Sequence, residues 1–373
     1  MFFGEDHIEY PYKTYESLKN KEPIIWMPEL GAWFVHRHKN VLELFSHNKL
    51  SSKRDKLSHF NELQRSTLSE LINFYSNWLM FNDPPIHNSL RTTAISFVKE
   101  RSKSINSQEI ISSVLNPIAQ NQSGQTVNVL KSVVEPISVS TFAQLFRWDI
   151  SFTRTILQKS EIIVFLLGQS KPPLDLAINA QNNLREIVAL IKESVNLTIS
   201  LDGMDAKVND ITHVLLNILI DGHKSICSAT ANTAWFWGKY RSGFALNANI
   251  EEVVEEIIRR EPIFQYVSRI ALEPFDYVGV KINTGDKIVL SIGASNYDLK
   301  TGVNACPRHL TFGHGRHYCI GALLARTILR DLLQAFNEQF EDLKIISADW
   351  EKSIGYRSLS SFEAEFSAIH SSH

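Results

Sequence analysis

A stretch near the C-terminus, Phe312 to Gly321 (FGHGRHYCIG), most constrains what this chain can fold into. It places Cys319 in a turn bracketed by glycines, directly before the helix-forming run from Ala322 to Leu329. The first turn of a helix presents unpaired N–H groups and a partial positive charge, and both stabilise a thiolate. The sequence therefore predicts that Cys319 is a thiolate suited to bind a metal.

The spacing F-x-x-G-x-H-x-C-x-G resembles the haem-binding loop of the cytochromes P450, in which the cysteine is the axial ligand of haem iron. The resemblance implies that Cys319 binds the iron of haem b and that Phe312 packs beside the sulfur. His317 would bind a haem propionate. Gly315 would permit the bend that aims the sulfur, and Gly321 would let the helix start lie close to the macrocycle.

Two other interpretations of this loop start from the residues themselves. Cys319 could be a structural cysteine, which is the common role of an isolated cysteine. It could also belong to a zinc site, because nitrogen and sulfur ligands cluster here: His309, His314, His317 and Cys319. The haem interpretation is preferred, because the usual zinc spacings are absent and the glycines and Phe312 would otherwise have no role.

Composition and charge limit the classes of partner. The chain has 373 residues, of which 44% are hydrophobic, and its 38 basic and 40 acidic residues give a net charge of −2. No nucleic-acid partner is indicated. Three cysteines (Cys227, Cys306 and Cys319) argue against a disulfide framework and for a reducing compartment. The acidic N-terminus and the lack of a run of about 18 apolar residues predict a cytoplasmic, bacterial-type protein without a membrane anchor.

Periodicity predicts a mainly α fold with a small β portion. Residues 105–265 carry leucine, isoleucine and valine at helical spacing. The other expected elements are a strand hairpin over Ile24 to Val35, a short helix over Asn40 to Phe45, a small sheet over Glu273 to Val289 and a final helix from about Gly321 to Phe340. The sequence contains no linker, so we expect a single large domain over residues 1–373 with the cytochrome P450 fold.

Further segments resemble the P450 family and occur in the family's order. His87 and Arg91 are four residues apart on one predicted helix face, and the resemblance implies that both bind haem propionates. Arg269 would be another propionate ligand, because a guanidinium matches a carboxylate in a fork geometry. Glu256 and Arg259 form an E-x-x-R pair, which is structural in the family.

The helix that crosses the distal face of haem in the family resembles the segment from Val214 to Ile226, where Gly222 would leave room for dioxygen. The family's pattern has an acid and an alcohol after this glycine, which help to deliver protons. This chain has Lys224 in place of the acid and Ser225 where the family has threonine, and Asp221 precedes the glycine. Asp221 and Ser225 are four residues apart and are the predicted catalytic residues.

Several hypotheses for Asp221 remain open at this point. It could replace the missing acid, or it could hold a cationic group of the substrate, such as an amine. Oxygen activation could instead be altered or absent, and Asp221 could simply pair with Lys224. A second departure from the family is the short connection from Leu299 to Leu310, which leaves Arg308 as a candidate third partner of the Glu256–Arg259 pair.

The resemblance implies oxidation of a small organic substrate with dioxygen and two electrons from a ferredoxin or flavodoxin-type donor. That donor would dock near Arg308 and Arg316. A P450 with atypical chemistry is the alternative: a peroxygenase, or an enzyme of coupling, dehydration or nitrogen chemistry. The third hypothesis is a P450-like scaffold without turnover.

Overall fold

The computed structural model describes residues 3–169, 171–198, 208–241, 249–299 and 308–369. The chain divides into two compact units. The first comprises Met1–Ser51, Asn106–Ile137 and Ser225–His373, and the second comprises Ser52–Ile105 and Ser138–Lys224. The single domain over residues 1–373 stays a prediction, because compactness does not by itself establish independent folding.

Helices make up most of the described chain, as predicted. In chain order they are α1 (Glu5–Glu9), α2 (Pro11–Ser17), α3 (His38–Phe45), α4 (Glu62–Thr67), α5 (Ser69–Ser76), α6 (Ile86–Arg101), α7 (Ser107–Asn121), α8 (Glu135–Phe146), α9 (Ile150–Gly168), α10 (Leu174–Thr198), α11 (Val208–Tyr240), α12 (Ile250–Arg260), α13 (Ile292–Asp298) and α14 (Ala322–Gln339). None of the helices in the described part of the chain has the length and hydropathy that crossing a bilayer requires.

The strands are β1 (Ile24–Met27), β2 (Ala32–Val35), β3 (Leu50–Ser51), β4 (Thr126–Asn128), β5 (Tyr266–Ala271), β6 (Phe275–Tyr277), β7 (Val280–Ile282), β8 (Lys287–Ser291), β9 (Phe340–Trp350) and β10 (Leu359–Ala368). They belong to the first unit. The predicted hairpin is confirmed, because β1 and β2 pair antiparallel with Ile24 opposite Val35. The single small sheet predicted over Glu273 to Val289 is confirmed in part: β6 and β7 pair as a two-stranded sheet, whereas β8 joins a different, five-stranded sheet.

The five-stranded sheet has the order β1-β2-β8-β5-β3 and is buried on both faces. Successive side chains of a strand point to opposite faces. Accordingly, Ile288 and Leu290 pack in one apolar cluster with Val35, whereas Val289 packs in another with Phe34. This sheet carries Arg269 on β5.

A long antiparallel pair, β9 and β10, with β4 added at its edge, is not among the sequence predictions. Its pattern was nevertheless present in the sequence. On β10, Phe362, Ala364 and Phe366 are fully buried, and the glutamates Glu363 and Glu365 alternate with them. Alternation with period two is the signature of a strand with one buried face.

In the second unit, an aromatic cluster closes the end of α5. The ring centroid of Trp78 lies 4.9 Å from that of Phe74, 5.6 Å from that of Tyr75 and 5.9 Å from that of Phe81. The buried Gln181 of α10 fixes the start of α5, because it accepts a hydrogen bond from the backbone N–H of Leu71 (3.2 Å). The cluster places the indole of Trp78 beside the middle of α11.

Candidate active site

The loop from Phe312 to Gly321 is held by two glycines in backbone conformations that other residues rarely adopt. Gly313 has φ +73° and Gly315 has φ +65°. A Cβ atom at Gly315 would lie only 2.5 Å from Oγ of Ser46. Both the backbone conformation and the lack of space therefore exclude a side chain at Gly315. The backbone N–H of Cys319 donates to the carbonyl of Phe312 (2.8 Å), which closes the loop.

The thiol of Cys319 is exposed and lies just before α14. Gly321 is the N-terminal cap residue of that helix, and no described side chain caps it. A Cβ atom at Gly321 would lie 4.0 Å from the sulfur. The thiol therefore lies at a helix start whose first N–H groups are not capped by a side chain, as the sequence predicts.

A cation holds the ring of Phe312. Arg326 of α14 lies over this ring at 4.4 Å from its centroid and bonds Glu255 of α12 at 2.5 and 3.0 Å. His309 hydrogen-bonds the same carboxylate at 3.1 Å. Burial alone would raise the pKa of Glu255, but the hydrogen bonds from His309 and Arg326 outweigh it and lower the pKa to about 2.

Sequence reasoning missed Glu255 and Arg326. The available signal was spacing: Arg326 is seven residues, about two helical turns, after Cys319 and so lies on the helix face near the loop. Glu255 directly precedes the glutamate of the E-x-x-R pair.

The pair of Glu256 and Arg259 forms as predicted, with two parallel bonds of 2.7 and 2.8 Å. Its third partner is the backbone carbonyl of Asn296, which accepts from Arg259 at 2.7 Å. The proposal of Arg308 for this role is wrong. Arg308 instead forms a hydrogen bond between its backbone carbonyl oxygen and the ring of His38.

Asn296 extends the pair toward the cysteine loop. Its side chain accepts from the N–H of Leu310 (2.8 Å) and donates to Thr311 Oγ1 (2.8 Å). Both residues directly precede Phe312, so the E-x-x-R pair braces the loop at its base. Cys306 and residues 300–307 of the short connection lie outside the described residues.

Of the predicted propionate ligands, Arg269 and His317 lie in the first unit with Cys319. Arg269 is 6% exposed, and its guanidinium lies 5.7 Å from the ring centroid of Phe45. The same ring would lie 3.8 Å from a Cβ atom at Gly313. Phe45 therefore separates Arg269 from the cysteine loop by the thickness of one side chain.

His87 and Arg91 lie in the second unit on α6, one helical turn apart as predicted. His87 is fully buried, and Arg91 is partly buried. A buried imidazole and a partly buried guanidinium on one helix face are suited to a carboxylate.

The middle of α11 carries the polar residues singled out in the sequence. Asp221 accepts a hydrogen bond from Nε1 of Trp78 at 2.7 Å. Within the described residues this is its one hydrogen bond, so the hypothesis that Asp221 simply pairs with Lys224 is wrong. Burial raises the pKa of Asp221 to about 7, and the bond from Trp78 opposes that rise. Ser225, one turn later, is partly accessible.

Gly222 lies against Phe142 of α8. A Cβ atom at Gly222 would lie 2.7 Å from Cζ of that ring. The glycine thus allows the ring to approach the helix, and the space at its α-carbon is filled. The expectation that Gly222 leaves room for dioxygen stays a prediction.

The residues fit a haem better than a zinc ion. Among the described residues, no group of three or more histidine, cysteine or carboxylate side chains could hold a metal ion, so the zinc cluster does not form there. An exposed thiol at a helix start and the buried cationic Arg269 near the same loop match the two ends of a haem, its iron and its propionates.

Known proteins are similar in sequence to almost the whole chain. No family model matches. The chain is 22% identical over 413 aligned residues to the polyketide biosynthesis cytochrome P450 PksS of Bacillus subtilis, with 98% of each protein covered. It is 23% identical over 392 residues to the biotin biosynthesis cytochrome P450 of the same species, covering 97% of this chain and 96% of that protein.

The fold has a close counterpart among solved structures. P450BioI in complex with an acyl carrier protein ligated to hexadec-9Z-enoic acid superposes with a TM-score of 0.83 at 19% identity, over 97% of this chain and 99% of that one. The predicted resemblance is confirmed: in sequence and in fold, this chain is similar over almost its whole length to bacterial cytochromes P450, which are haem b-dependent oxidoreductases.

Proposed function

We propose that this protein oxidises a small organic substrate at a haem whose iron is bound by Cys319. The observation that carries this proposal is the exposed thiol of Cys319 at the start of α14, in a loop closed by its own backbone bond to Phe312. A haem with a thiolate ligand supplies the activation of dioxygen when it is bound.

The cationic groups would hold the two propionates. We assign this role to Arg269, His317, His87 and Arg91. The position of Arg269 supports the assignment, because its buried guanidinium lies near the cysteine loop.

The remaining residues of the loop would control the surroundings of the sulfur. Phe312 would keep water from the thiolate, and Arg326 fixes the position of that ring. Keeping water from the sulfur would tune the reduction potential of the iron. Ser225, whose hydroxyl can donate and accept, would pass protons on the opposite side.

Electrons would come from a separate ferredoxin or flavodoxin-type donor. Arg316 is exposed in the cysteine loop, and its charge supports docking of an acidic partner there, with an affinity that falls as salt rises. The names of the relatives support a role in the biosynthesis of a small molecule. We also propose a cytoplasmic location, in agreement with the sparse cysteines.

The first experiment is the absorption spectrum of the dithionite-reduced protein under carbon monoxide. We expect the red-shifted Soret band of thiolate-ligated haem, its loss in Cys319→Ser and its retention in Cys227→Ser. A band of neutral ligation in the unchanged protein, after reconstitution with haem, would refute the assignment of Cys319. An Arg269→Leu variant should retain less haem than a Lys287→Leu variant on the neighbouring strand.

A peroxide-driven reaction is the second candidate. It is favoured by Lys224, which occupies the place of the acid that supports proton delivery in the family. Turnover with hydrogen peroxide that equals or exceeds turnover with dioxygen and a reductase system would establish it. Turnover only with the reductase system would exclude it.

A further inference from the structure

The stretch from Asp221 to Ser225 is partly accessible in the middle of a buried helix. On either side of it, Val214 to Ile220 and Thr230 to Trp237 are buried. Asp221 itself is partly accessible, so a small ligand can reach its carboxylate.

Asp221 lacks the partners that a buried carboxylate needs. A carboxylate offers about four acceptor sites, whereas Trp78 Nε1 is the one donor to Asp221 within the described residues. No cation of the described chain pairs with it there. An unpaired buried charge is costly, so a ligand that brings a positive charge would be bound with favourable energy.

The neighbouring polar groups are engaged elsewhere. Asn217, one turn earlier, accepts from the N–H of Leu79 at 2.7 Å and donates to the carbonyl of His213 at 2.6 Å. His223 hydrogen-bonds Ser138 at 2.8 Å. These bonds hold α11 against the neighbouring segments of the chain. Asp221 takes part with only one of its two carboxylate oxygens, which accepts from Trp78.

Trp78 fixes the direction of the carboxylate. It is fully buried, and Tyr75 stacks on it with the ring planes at 20°. The hydroxyl of Tyr75 is buried and has no hydrogen-bond partner in the described part of the chain. A second unsatisfied polar group beside the same indole is consistent with a polar ligand rather than with an apolar one.

We propose that Asp221 is the residue with which this enzyme recognises a positively charged nitrogen on its substrate. The inference rests on the proposed function, since it assigns the substrate class of the same site. It favours amines and quaternary ammonium compounds over neutral molecules of the same shape, and it disfavours carboxylates through like-charge repulsion.

The charged groups near Asp221 do not provide that positive charge. Arg54 lies over Phe81, 5.4 Å from its ring centroid, and makes no bond to Asp221. Lys224 follows Asp221 by three residues on the same helix but makes no bond to it. His223 is neutral near pH 7, because burial, aided by the charge of Lys224, lowers its pKa to about 4.

The test compares choline with 3,3-dimethylbutan-1-ol, in which a carbon atom replaces the charged nitrogen. A quaternary ammonium has no lone pair and cannot ligate iron, so its binding reports on the protein alone. Binding to the haem-loaded enzyme is measured by titration calorimetry about one pH unit above 7. There the carboxylate is ionised, because burial raises the pKa of Asp221 to about 7.

We expect choline to bind at least about tenfold more tightly than the alcohol, and Asp221→Asn to abolish that preference. Asp175→Asn, an exposed carboxylate on α10, is the matched control and should leave it unchanged. Equal binding of the two probes, failure of choline to bind, or a preference that survives in Asp221→Asn would overturn the proposal.

A second measurement needs no variant. In the unchanged enzyme the preference for choline should fall at least fivefold as the pH is lowered from above 7 to about 5.5, with constant binding of the alcohol. A preference independent of pH would count against Asp221. Calorimetry requires no turnover, so a protein without the thiolate Soret band that still prefers choline would refute the proposed function and leave this inference standing.

Discussion

The guanidinium of Arg326 lies over the face of Phe312, 4.4 Å from its ring centroid, and Glu255 holds it there with two bonds. A cation–π contact of this kind contributes about 0.5–2 kcal/mol. Through this contact α12 fixes the position of the Phe312 ring, at the start of the cysteine loop. The loop is therefore positioned by charges on helices as well as by its glycines.

Glu255→Gln should loosen the loop. The variant removes the charge that orients Arg326, and we expect the free energy of unfolding to fall by about 1–3 kcal/mol. A larger fraction of the reduced carbon monoxide complex should also show neutral ligation. Urea unfolding and the Soret spectrum measure the two effects. Glu252→Gln, an exposed residue of the same helix, is the control, and equal behaviour of the two variants would contradict the prediction.

The cysteine loop was predictable because its constraints are local. Two positive φ values, a helix start and a backbone bond all lie within Phe312 to Gly321, so the spacing of residue types carries the information. The Glu256–Arg259 pair was predictable for the same reason, since both residues share one helix face.

The rest depends on contacts between distant parts of the chain. Asn296 as third partner of Arg259 is 37 residues away along the sequence, and Trp78 is 143 residues from Asp221. Spacing cannot reveal such pairs. Gly222 was assigned to dioxygen because the family pattern contains a glycine there, but which face of α11 it occupies depends on the packing of Phe142.

Gly315→Ala should disturb the loop more than a positive φ alone would. Gly285 has φ +86° with open space around it, so Gly285→Ala reports the backbone cost by itself. At Gly315 the added methyl group also meets Ser46 Oγ. We expect Gly315→Ala to lower the free energy of unfolding by about 1–3 kcal/mol more than Gly285→Ala. Equal losses in urea unfolding would show that Ser46 moves aside without cost.

Gly222→Ala should be destabilising although alanine favours helices. The methyl group would meet the ring of Phe142, and overpacking costs about 1–3 kcal/mol, against a helix gain of about 1 kcal/mol. Phe142→Leu makes room, so the double variant should show a favourable coupling energy of about 1 kcal/mol or more. Gly4→Ala, where nothing lies within 4 Å, is the control. Strict additivity in thermal unfolding would argue against the contact.

Asp221 should make stability depend on pH near neutrality. Burial raises its pKa in the folded state to about 7, from an ordinary value of 3.8. Between these values the folded state holds the proton more tightly than the unfolded chain does. The free energy of unfolding therefore falls as pH rises, by about 1.4 kcal/mol per pH unit at most, and this contribution becomes constant above 7.

Asp221→Asn cannot titrate, so its stability relative to the unchanged protein should rise from about pH 5.5 to 7 and then level off. His223 does not confuse the measurement, because its pKa lies near 4. Urea unfolding at several pH values measures the difference in stability between each variant and the unchanged protein. For Asp175→Asn we expect this difference to be the same at every pH. A constant difference for Asp221→Asn would mean that the carboxylate is charged at pH 5.5. In that case its charge is already stabilised in the folded protein, and a cationic substrate would gain less by pairing with it.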